Sequence, residues 1–144
     1  MKKVENIYDD KAFYEEYISM RKTKLNANEL LEIPIMKKLL PDLTGKTVLD
    51  LGCGYGEMSK YFIKKGAKTV VAIDISKNMI SLAEQFNNHK NIEYKVLCME
   101  ELSKLNQKFD IVFSSLAFHY VKNFDKLICD ISCLLNDGGE LIWS

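Results

Sequence analysis

The chain has 144 residues, 47% apolar and 28% charged, which is enough for one domain with a real core. Its 20 basic and 20 acidic residues cancel, which argues against a general nucleic-acid binder. The opening MKKVENIYDD holds no apolar stretch that could act as a signal peptide, and no run approaches a membrane span, so a cytoplasmic protein is expected.

Four cysteines stand at 53, 98, 129 and 133, none of them spaced C-x-x-C. Cys129 and Cys133 are one helical turn apart but have no His or second Cys pair with them, so no metal site is expected. All four read as reduced thiols. The densest basic cluster, Arg21, Lys22 and Lys24, reads as a solvated helix face.

The spacing of Phe13, Tyr14, Tyr17 and Ile18 predicts an amphipathic helix in residues 1–20. A second helical stretch follows Asn28, with Leu30, Leu31, Ile35, Met36, Leu39 and Leu40 as its apolar positions. Pro34 is expected to divide or kink it, and Pro41 to mark its end. From there the chain alternates. Strands are predicted at 47–51, 69–74, 92–97 and 109–114, with a fifth beginning near Glu140. Helices are predicted at 57–65, stopped by Gly66, then after the cap Ser76, then from Phe124 or Asp125 to about Leu135. A short helical turn is expected near 100–105, and residues 136–139 read as an exit turn. Alternating apolar strands and helices imply an α/β, doubly wound, Rossmann-like parallel sheet with five strands present. Its ligand is expected beyond the carboxyl ends of the strands, beside the first.

The stretch TVLDLGCGYG, residues 47–56, organises the rest. An apolar strand breaks into Gly52, Gly54 and Gly56, and a helical pattern starts at Glu57. Glycines here let backbone approach a ligand that a Cβ would block. The dinucleotide pattern G-x-G-x-x-G would need glycine where Glu57 stands. Asp50 and Glu57 would oppose a pyrophosphate, but they suit a ligand carrying a sulfonium and an α-amino group. That favours S-adenosylmethionine (SAM) over NAD. Asp74, 22 residues after Gly52, closes strand two, where a carboxylate can accept from both hydroxyls of a ribose. Ile75 and Met99 could sandwich an adenine, or could simply be core residues.

With these residues in place, residues 46–144 strongly resemble the class I SAM-dependent methyltransferases. The matching segments are VLDLGCGYGEMSKYF (48–62), VVAIDIS (70–76), FDIVFSSLAFHYV (109–121) and LLNDGGELIWS (134–144). The last two are especially similar to the small-molecule branch that includes ubiquinone-biosynthesis-type enzymes and many bacterial proteins of unassigned substrate. The resemblance implies that Asp50 and the backbone of Gly52, Cys53, Gly54 and Gly56 hold the methionine portion of SAM. It implies Asp74 on the ribose, Met99 and Glu100 bordering the adenine, and Ser115 and Leu116 facing the sulfonium. Many of the class carry Asp where Cys98 stands, so here the adenine amino group falls to backbone atoms. His119 is the candidate general base, with packing beneath the site as its other reading. Tyr17 and Arg21 read either as a lid over the cofactor carboxylate or as a solvated helix face.

The class usually has seven strands, whereas this sequence stops inside strand five at LIWS. A fragment of a longer protein is expected: a helical cap or lid at 1–45 and a SAM-binding core at 46–144, truncated at strand five. That strand would be an open edge where a dimer could form. The leading expectation is methyl transfer from SAM to a small-molecule O, N or C nucleophile, yielding S-adenosylhomocysteine (SAH). The alternatives are a non-catalytic SAM- or SAH-binding module and, third, an NAD-binding Rossmann domain. No N-P-P-Y or D-P-P-Y motif follows strand four, where SSLA stands, so no DNA substrate is expected. The acceptor's identity stays open.

Overall fold

The computed structural model describes residues 11–12, 15–16, 19, 31–115, 117–118 and 121–144. In order these give α1 (Ile33–Leu39), β1 (Thr47–Leu51), α2 (Glu57–Lys64), β2 (Thr69–Asp74), α3 (Lys77–Phe86), β3 (Ile92–Val96), a 3-10 turn (Met99–Lys104), β4 (Phe109–Ser114), α4 (Phe124–Leu134) and β5 (Leu135–Trp143). Lys11, Ala12, Glu15, Glu16 and Ser19 are helical and exposed. The apolar residues that predicted their helix, and the cap Asn28, lie outside the described residues.

The sheet runs β3-β2-β1-β4-β5, and every pairing is parallel. The chain steps outward from β1 to β2 and β3, then returns to the other side of β1 with β4. That reversal leaves a crevice above the carboxyl end of β1. Among the described residues β3 and β5 are the outer strands.

Two apolar layers cover the sheet. On one face Leu127, Ile131 and Leu134 of α4 pack with Leu102, Leu49, Leu51 and Val112. On the other, Met58 and Phe62 of α2 and Met36 of α1 pack with Val48, Val70 and Phe113. The Phe62 and Phe113 rings meet edge to face at 5.0 Å. α1 is thereby tied to the core, and Leu43 in the following turn is buried with it.

Local signals account for most boundaries. Ser76 accepts from the Met79 amide and caps α3. Asn123 accepts from the Lys126 amide and caps α4. Gly66, at φ 98°, follows the end of α2. Pro34 lies in the first turn of α1, where its missing N–H costs nothing, and Leu31 and Glu32 just before that helix are π-helical. One expectation is corrected. β5 starts at Leu135, five residues before Glu140. Phe109 pairs with Leu135 and Ile111 with Glu140, so residues 136–139 form a bulge inside the strand.

Candidate active site

The β1 strand delivers its glycines into the crevice. Gly52, Gly54 and Gly56 all have positive φ, at 68°, 56° and 88°. The Cys53 amide donates to the Ile73 carbonyl at 2.9 Å, and the Gly56 amide to the Cys53 carbonyl at 3.1 Å. The loop is therefore stitched to β2 and folded on itself before α2 begins. Glu57 opens α2 and accepts from the Tyr55 hydroxyl at 2.7 Å.

Asp74, at the end of β2, holds the loop from the side. One carboxylate oxygen accepts from the Gly54 amide at 2.9 Å, and the other from the Ser76 amide at 2.9 Å. The glycines differ in what surrounds them. A Cβ on Gly52 would stand 2.6 Å from the Ala117 Cβ and 3.0 Å from the Met99 Cε. One on Gly56 would lie 2.3 Å from the Tyr94 hydroxyl. A Cβ on Gly54 would meet no heavy atom of the described residues within 4 Å. Gly52 and Gly56 are thus required by close packing, while Gly54 leaves open space beside an aspartate-held amide.

Asp50 lies under this loop. It is 2% exposed, and its Oδ2 accepts from the buried Ser59 hydroxyl at 2.6 Å. Burial pushes its carboxyl up to about 7; the Ser59 bond opposes this and the Asp74 carboxylate adds to it. Burial likewise raises the Tyr94 phenol, which donates to the Asn87 carbonyl at 2.7 Å.

The other candidates flank the loop. Ile75 and Met99 are half-buried just past β2 and β3, and Met99 reaches Gly52. Glu100 is exposed, and its carboxylate accepts from the Lys122 amide at 3.4 Å, toward the start of α4. The Ser115 hydroxyl, past β4, donates to Glu32 at 3.0 Å. Tyr17, Arg21, Leu116 and His119 lie outside the described residues. No group of three or more His, Cys, Asp or Glu able to hold a metal occurs among the described residues. No helix among them is long and apolar enough to cross a membrane.

A glycine loop at the carboxyl end of the central strand, held by an aspartate from the next strand, matches one family along most of the fold. The family described as "Methyltransferase domain" matches residues 49–143. The chain belongs to this family. An uncharacterized protein of Haemophilus influenzae is 37% identical over 147 residues, covering 96% of this chain and 57% of that protein. A ubiquinone biosynthesis O-methyltransferase of Coxiella burnetii is 35% identical over 104 residues, 71% of this chain and 44% of that protein. The crystal structure of an S-adenosylmethionine dependent methyltransferase from Mesorhizobium loti is similar at TM-score 0.72 and 30% identity, over 78% of this chain and 52% of that one. The chain spans about half the length of the curated relatives it matches.

In this methyltransferase domain three site neighbours escaped the sequence reading. Ser59 had a signal, a small polar residue on the apolar face of α2 between Met58 and Phe62. Tyr94 read only as a strand residue, yet its ring fills the space that Gly56 leaves. Glu32 had no local signal. Its carboxylate also accepts from the Ser144 hydroxyl, so it bridges the carboxyl ends of β4 and β5 from 83 residues before Ser115.

Proposed function

We propose that this domain binds SAM at the 52–56 loop and serves methyl transfer to a small-molecule nucleophile. The observation that carries the reading is the Asp74 carboxylate bonded to the Gly54 amide beside open space. The residues fit the group. A carboxylate accepts about four hydrogen bonds, so ribose hydroxyls would join the loop and helix amides on Asp74. The open side of Gly54 admits the methionine portion close to backbone. Ile75 and Met99, half-buried on either side, offer apolar contact to a base. When bound, SAM supplies an electrophilic methyl group on a sulfonium.

The protein's share is alignment. Ser115 follows β4 at the same crevice, where the acceptor would meet the methyl group in line. His119 is assigned there as the residue to test for proton removal from the acceptor. Residues 1–45 are assigned to a helical cap over the site, and Glu32 from this segment reaches the ends of β4 and β5. A small-molecule acceptor fits the curated relative named for ubiquinone biosynthesis.

Calorimetric titration with SAH, with NAD as control, tests the cofactor. Saturable binding of SAH alone is expected, and binding of NAD alone would overturn the reading. Acceptor-dependent SAH production by the full-length protein separates an enzyme from a binding module.

A further inference from the structure

Asp50 stands out because no described residue around it neutralises its charge. Its register neighbours are Ala72 on β2 and Phe113 on β4. From α2 it meets Ser59, which is fully buried and neutral. The ionisable groups that act on it are Asp74 from β2, the Cys53 thiol from the loop and the Tyr94 phenol from β3. Burial raises both the thiol and the phenol, so each is neutral near pH 7. No Lys, Arg or His among the described residues pairs with Asp50. A carboxylate in such a place is costly, and burial favours the neutral acid.

We propose that the Asp50–Ser59 pair is a proton-linked sensor of ligand charge beneath the 52–56 loop. A ligand that sets a cationic end on the loop favours the anion, and Asp50 gives up its proton. The carboxyl O–H bond breaks, the proton passes to solvent, and no electrons change hands. Ser59 is a positioning residue: its hydroxyl holds Oδ2 and stabilises the anion, so it sets the pH at which the exchange occurs. Cofactor affinity is then pH-dependent across neutrality. The inference rests on the cofactor reading above and goes beyond it in assigning a proton to the binding step.

Two measurements test it. The first needs no ligand: carbon NMR of the side-chain carboxyls, with Asp50 assigned by its loss in Asp50→Asn. A midpoint near neutrality is expected, higher in Ser59→Ala and restored in Ser59→Thr. A midpoint in the ordinary range near ~4 overturns the proposal. The second is calorimetry with SAH, whose α-amino group is the cationic end, in two buffers of different ionisation enthalpy. Release of roughly half a proton at pH 7, rising toward one at pH 6, is expected and should vanish in Asp50→Asn. SAH binding without proton release overturns the sensor and leaves the cofactor reading standing. A chain that binds no SAH overturns the cofactor reading and the ligand half of this proposal. The ligand-free midpoint still decides the pair.

Discussion

The 52–56 loop and the 136–139 bulge are both glycine-bearing, and each is held by an aspartate from a neighbouring strand. They sit at opposite ends of the sheet. At the carboxyl end Asp74 accepts from the Gly54 amide. At the other end Asp110, on β4, accepts from the Thr47 amide and hydroxyl and from the Asn136 side chain. Gly138 in the bulge has φ 77°, and a Cβ there, as on Gly54, would meet no described heavy atom within 4 Å. The difference lies beneath them. Under the loop there is a second carboxylate, Asp50, buried in the core, at the point where the strand order reverses between β2 and β4 around β1. The bulge is a surface irregularity in an outer strand, with Asn136, Asp137 and Gly138 all exposed. Glycine and aspartate together make a turn. They make a ligand site only where the sheet's topology opens a crevice over them.

The two ends are expected to respond to pH with opposite signs. Asp50 is raised to about 7, so between about pH 4 and 7 the folded chain holds a proton that the unfolded chain has lost. Stability should fall as pH rises through that window, by on the order of 4 kcal/mol. Asp50→Asn, which cannot ionise, should flatten the fall in chemical denaturation series. An unchanged pH profile would show that Asp50 is not buried as an acid. Asp110 is lowered, first by its bond from the Thr47 amide, so its contribution is present above the usual carboxylate range and is lost as pH falls below it. Asp110→Asn should remove only that acid-side loss.

Gly56→Ala should cost roughly 2–5 kcal/mol, since a left-handed backbone and a clash with Tyr94 add together. Thermal unfolding reads this directly, and a near-normal Tm would mean that Tyr94 can leave. Asp74→Ala should weaken SAH binding by about 1–3 kcal/mol, whereas Asp110→Ala should leave it unchanged. Equal effects from the two would erase the distinction between the ends.

The mildest and most informative pair is Gly54→Ala against Gly138→Ala. Both place a Cβ in open space on a left-handed backbone, at about 1–2 kcal/mol each. Matched losses of stability are expected, with SAH affinity falling roughly tenfold or more in Gly54→Ala alone, a shift of about 1.4 kcal/mol. A loss of affinity in both would place the ligand's influence outside the loop.

Much of this was legible along the chain because its causes are local. Alternation of apolar runs with helical spacing predicted all five strands and the helices between them. Ser76 and Gly66 marked boundaries where the structure has them. The start of β5 was misplaced because a bulge with two glycines reads as a turn; only pairing with β4 keeps the strand going through it.

By itself the sequence determined the glycine loop, the aspartate at the end of β2 and the sheet that brings them together. Backbone freedom at glycine and the period of apolar residues act over a few residues. Tertiary structure alone decided what lies beneath and around the loop. Ser59 meets Asp50, Tyr94 stands against Gly56, and Glu32 reaches Ser115 only once the strands are in register. Burial and the field of neighbouring charges belong to the folded chain as a whole, so the protonation of Asp50 has no signature in the run TVLDLGCGYG.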